Sequence, residues 1–130
     1  MEQSYVEMKA RWLSGERDRE LGLRLMYFAW MHWADPPCVT SMQEDDDAIP
    51  LWFEIFSVFG GEAGSDAEFL YVTSIMATIT PEELGGEALW GPRLKLLQSR
   101  LKELRPEGFG PEVFEGRGDY GDYFAHQSRR

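Results

Sequence analysis

The stretch Leu21 to Trp33, LGLRLMYFAWMHW, constrains this chain more than any other. Leu21, Leu23, Leu25, Met26, Tyr27, Phe28, Trp30, Met31 and Trp33 cannot all share the single apolar stripe of a surface helix. A helix that is apolar nearly all round has to be buried on most sides. The expectation is therefore an all-α domain in which this helix is the central post and its own aromatic rings form much of the core. A chain of 130 residues is long enough to close one such core without disulfides or structural metals.

The neighbouring segments carry helix signals of their own. Tyr5, Met8 and Trp12 lie at helical spacing within Ser4 to Ser14, and Gly15 is placed to end that helix. Acids in Glu16 to Glu20 open the second helix, and Pro36-Pro37 stops it after about Ala34. The irregular segment from Asp35 to Asp47 leads to a third helix. Asp47 is its expected cap and Pro50 lies in its first turn, while Ala48, Leu51, Trp52, Ile55, Phe56 and Phe59 follow three-four spacing to Gly60-Gly61. Ser65-Asp66-Ala67-Glu68 has the capping-box pattern, which favours a fourth helix over the strand suggested by Val72, Thr73, Ile75, Thr78, Ile79 and Thr80.

Thr80-Pro81-Glu82-Glu83 signals about one further turn before Gly85-Gly86. A long helix is expected after Gly91-Pro92, with Leu94, Leu97, Leu101 and Leu104 in heptad register, ending at Pro106. The rest, with Phe109, Phe114, Tyr120, Tyr123 and Phe124 among glycines, reads as an irregular tail folded back over the helices. The whole is a single domain, 1–130, with about five helices and an irregular tail over 106–130.

Charge is distributed unevenly along this frame. The net charge is −10. Between Leu25 and Pro92 there is no Lys or Arg, yet the span holds twelve acids: Asp35, Glu44, Asp45, Asp46, Asp47, Glu54, Glu62, Asp66, Glu68, Glu82, Glu83 and Glu87. The two flanks are close to neutral. Such a field opposes direct nucleic-acid binding, which needs clustered cations. It suits a surface that meets a basic protein, because complementary fields speed encounter and suppress wrong partners. Asp35, Glu44, Asp45, Asp46, Asp47, Glu54, Glu62 and Asp66 are the expected partner-binding residues.

Catalytic patterns are thin. His32, Asp35 and Cys38 contain the parts of a cysteine nucleophile system, but their closeness in sequence and the extended Pro36-Pro37 path favour structural roles. His32 and His126 are the chain's two histidines and neither has a ligand partner at helical spacing, while Glu44 to Asp47 lacks the frame of a calcium loop, so no metal and no cofactor is expected. Gly60-Gly61 and Gly85-Gly86 lack the Lys-Ser/Thr that follows in a phosphate loop, and Arg117-Gly118-Asp119 reads as a turn. Arg24 reads as the partner of Glu20, or of Glu54 or Glu68 from another helix. The alternative to a binding module is a small enzyme or ligand-binding protein with a pocket at Arg24, Tyr27, His32 and Cys38.

One cysteine fits a reducing compartment, the charged first twenty residues leave no room for a secretory signal, and the longest uncharged run, Phe69 to Pro81, is too short to span a bilayer as a helix. A cytoplasmic chain without membrane contact is expected, monomeric or weakly dimeric through the leucine helix. In general character the chain resembles the small acidic immunity proteins of bacterial toxin–immunity pairs. That resemblance implies tight one-to-one binding to a basic partner such as a toxin or nuclease, with the acids above as the contact surface.

Overall fold

A computed structural model describes residues 2–34 and 45–129, apart from the side chains of residues 2, 33 and 34. Six α-helices and two 3₁₀ turns make up its regular structure, and no strand occurs among the described residues. The helices are α1 (Glu2–Leu13), α2 (Arg19–Ala34), α3 (Ala48–Val58), α4 (Ala67–Ile79), α5 (Glu87–Leu104) and α6 (Gly118–Gln127). Of residues 21–31 only Arg24 escapes burial. Helix α2 packs against α1, α3 and α6, and α4 packs against α5.

Helix ends follow local chemistry more closely than sequence patterns indicate. Asp18 Oδ2 accepts the Leu21 amide at 3.1 Å and so caps α2. Asp47 holds the N-cap position of α3, but its side chain makes no capping bond, and its own amide donates to Asp45 Oδ1. The expected capping box at Ser65 is absent: Asp66 is the N-cap of α4, accepting the Phe69 amide at 3.2 Å, and Glu68 is directed into the core. The β-branched run in α4 is helical, with Thr78 donating back to the Ser74 carbonyl at 2.6 Å and Thr73 donating to the Met26 sulfur of α2.

Thr80 does not start a helix. It ends α4, buried, and its hydroxyl accepts the Trp30 Nε1–H at 2.6 Å, tying the end of α4 to the last part of α2. Helix α5 starts at Glu87, earlier than the sequence suggests, with Pro92 inside it. The Ala88 carbonyl that loses a partner to Pro92 belongs to an exposed residue, where water can serve. Trp90 Nε1 donates to the Leu84 carbonyl at 2.7 Å, which anchors this early first turn over residues 81–85. Of the leucine seam, Leu97 is fully buried, Leu94 and Leu101 pack partly buried against this chain's own core, and Leu104 is exposed.

The largest departure lies in the tail, which contributes a sixth helix. Residues 106–117 are irregular apart from the 3₁₀ turn Pro111–Phe114, with Phe109 stacked 4.7 Å from Tyr71. Residues Gly118 to Gln127 are helical, with Tyr120, Gly121, Phe124 and Ala125 buried. Tyr120 and Phe124 pack their rings around Tyr27 of α2 at 6.1 and 5.7 Å. Glycine argued against helix there, but Gly121 is required by a close crossing: a Cβ on it would lie 2.2 Å from the Phe114 carbonyl oxygen. Gly121→Ala, which would stabilise an open helix, should cost about 1–3 kcal/mol here by overpacking. Urea unfolding of the variant measures this.

Candidate functional site

The acids of the base-free span divide into those held by internal bonds and those left in water. Asp45 is held. Its Oδ2 accepts the Tyr5 hydroxyl and the Lys9 ammonium, each at 2.6 Å, while Oδ1 takes the Asp47 amide at 2.9 Å. Burial works against this carboxylate, yet the bonds from Lys9, Tyr5 and the Asp47 amide outweigh it and hold its pKa down at about 2. Asp66 is also held. Arg19 grips it in a fork, Nε and Nη2 at 2.5 and 3.1 Å, and although burial opposes ionisation, this grip and the Phe69 amide keep its pKa below the usual range.

Asp46, Asp47, Glu54, Glu82, Glu83 and Glu87 are exposed. Asp47 lies 4.0 Å from Lys9. The other five make no ion pair among the described residues, nor does the half-buried Glu62. Asp35 and Glu44 lie outside the described residues.

Two contacts bring part of this free charge to one end of α2. Tyr5 packs its ring 4.3 Å from His32 while bonding Asp45, so Asp45 to Asp47 border the last turn of α2. The Trp30–Thr80 bond brings the turn bearing Glu82 and Glu83 to the same end. That bond also brings the carboxyl end of α4 to the side chain of Trp30, near the end of α2, and both helix dipoles add negative potential to that of the side chains.

Further toward the start of α2 is a compact ionic network. Glu68, only 6% exposed, accepts Arg117 Nη1 at 2.9 Å, the Tyr120 hydroxyl at 2.6 Å and Arg19 Nη2 at 3.3 Å. Arg117 spans from Glu68 to Glu20, with its Nε 3.1 Å and its Nη2 2.5 Å from the Glu20 oxygens. A further Nη2 contact at 2.7 Å to Glu68 and an Nη1 bond to the Val113 carbonyl use the remaining donors of this guanidinium. The bond to Glu20, ahead of those to Glu68, raises the Arg117 pKa above its already high ordinary value. The same contact, together with Arg24, lowers that of Glu20. Burial, with Glu68 beside it, pushes Tyr120 well above a normal phenol, so its hydroxyl stays protonated and donates.

The residues of the alternative pocket are placed apart. Arg24 is paired with Glu20, Nε to Oε2 at 2.8 Å, and lines a cavity of about 250 Å³ between α1, α2 and α6. Tyr27 points its ring at Tyr120, Tyr123 and Phe124, His32 lies against Tyr5, and neither lines that cavity; Cys38 is outside the described residues. Among the described residues no cluster of three or more His, Cys, Asp or Glu side chains could hold a metal ion, and no helix is long and apolar enough to cross a membrane.

Sequence reasoning names Arg117, Glu68 and Tyr120 separately but does not join them, since the partners are 49 to 97 residues apart and no local pattern connects them. No protein-family model, curated protein or solved structure matches the chain.

Arg117→Met removes the cation between two carboxylates and leaves a buried charge short of a partner, so it should destabilise the fold by about 3 kcal/mol, measurable by urea denaturation. Asp45 has its folded pKa depressed, so its stabilisation is complete above the unfolded value and is lost as pH falls through the folded one. Asp45→Asn should therefore be less stable than the parent at pH 7 by about 1–2 kcal/mol, and the gap should close between about pH 5 and pH 2. Thermal melts across that range decide it.

Proposed function

We propose that this chain is an acidic protein-binding module that neutralises a basic partner, in the manner of an immunity or inhibitor protein acting on a toxin or nuclease in the cytoplasm. The observation that supports the reading is the sorting of acids. Within a span free of Lys and Arg, Asp45, Asp66 and Glu68 are bound internally, while Asp46, Asp47, Glu82 and Glu83 stay exposed at the end of α2 where two helix carboxyl termini add to their field. Charges that the fold does not use, left in water around the end of one helix, are suited to steering and orienting a cationic protein. In this reading α2 is the central post of a single helical domain. It holds the acidic end rigid, so little ordering entropy opposes association.

The contact set differs from the one the sequence alone suggests. Asp45 and Asp66 are already engaged, and Glu82 and Glu83 stand in their place. Glu54 and Glu62, on α3 and just beyond it, would extend the surface only for a large partner.

The test begins with a tagged chain and mass-spectrometric identification of what it retains. Affinity for that partner is then measured for the parent and for the quadruple variant Asp46→Lys, Asp47→Lys, Glu82→Lys, Glu83→Lys. The variant should bind at least about tenfold more weakly at low salt, with the difference shrinking as ionic strength rises. Unchanged affinity and unchanged salt dependence in a folded variant would refute the acidic-end reading.

A further inference from the structure

The cavity between α1, α2 and α6 is lined by charges of both signs with hydrogen-bonding capacity that the fold leaves unused. Arg24 forms one side. Its Nε is held by Glu20, which fixes the plane of the guanidinium, but its two terminal nitrogens donate no hydrogen bond among the described residues. One of them, Nη1, lies 3.9 Å from where a Cβ on Gly118 would stand, so this free edge lies beside the first residue of α6 at the cavity wall. Arg117 also borders the space, but Glu20, Glu68 and the Val113 carbonyl occupy its donors. Arg24 is thus the cation with capacity for a bidentate carboxylate.

The other side is acidic. Asp119 and Asp122, three apart on α6, both line the cavity, are exposed, and make no ion pair among the described residues. Neither reaches Arg24 within ion-pairing distance, so the opposed charges that line the cavity are not paired with each other. Between them Met8 and Phe28 supply apolar wall. A volume of about 250 Å³ is below that of sites for drug-sized ligands. A simple anion would meet the two aspartates, and a simple cation would meet Arg24. A molecule carrying a carboxylate and an ammonium on one small frame satisfies both.

We propose that this cavity binds a free α-amino acid with an apolar side chain, its carboxylate on Arg24, its ammonium on Asp119 and Asp122, and its side chain against Met8 and Phe28. The site is separate from the acidic end of α2, and the inference stands whether or not a basic protein binds there.

Isothermal titration with L-leucine tests it, with N-acetyl-L-leucine and L-leucinamide each removing one charge. L-leucine should bind saturably, and each derivative at least tenfold more weakly, a loss of about 1.4 kcal/mol. Arg24→Gln and Asp122→Asn should each weaken L-leucine binding by a similar factor. Asp122 is exposed and unpaired, so its variant keeps the test valid if Arg24→Gln fails to fold. Absence of saturable L-leucine binding overturns the proposal. So does equal binding of either derivative, or retention of the parent affinity in a folded variant of either residue.

Discussion

The fold depends on a guanidinium that has used all its donors. Arg117 sits between Glu20 and Glu68 and so ties the start of α6 to α2 and α4 in one set of bonds. A carboxylate as deeply buried as Glu68 is tolerable only when its lone pairs are filled, and Arg117, Arg19 and Tyr120 fill them. The apolar burial of α2 would hold many arrangements of helices together. This network selects one, because a bidentate fork has a narrow geometry.

Acidic residues consequently serve two purposes in one sequence. Glu20, Asp45, Asp66 and Glu68 each meet a cation, and their cost in desolvation is offset inside the chain. Asp46, Glu54, Glu82, Glu83 and Glu87 have no such partner among the described residues. Their repulsion opposes compactness slightly, and it is these groups, not the net charge, that determine how the surface looks to another molecule. Four tryptophans, Trp12, Trp30, Trp52 and Trp90, add nothing to that surface, since all are buried at 1% exposure or less.

How much was legible in the sequence follows from the range of the interactions involved. The burial of α2, the spacing of α3 and the glycine stops at 60 and 61 are local, and they read correctly. The cap of α4 was displaced by one residue because Glu68, apparently the far half of a capping box, is drawn inward by Arg117 and Tyr120. Helix α6 was hidden for a related reason. Gly118 and Gly121 looked like helix breakers, whereas Gly121 is there for the Phe114 carbonyl, a contact that only the folded chain brings about. Among the site residues, exposure separates Asp46 from Asp45, and nothing in the run Glu44 to Asp47 marks that difference. It depends on Lys9 and Tyr5, 36 and 40 residues away.

The place of Arg117 in the chain also bears on how the protein comes to be folded. Synthesis delivers Glu20 and Glu68 long before it delivers the residue that joins them. Until position 117 leaves the ribosome, Glu68 has only Arg19 for a cation and Glu20 only Arg24, so α2 and α4 lack the guanidinium that joins these carboxylates in the finished packing. Final compaction is thereby made to wait for Arg117 and the helix that follows it, and a chain cut short before them would expose rings of α2 that Tyr120 and Phe124 conceal.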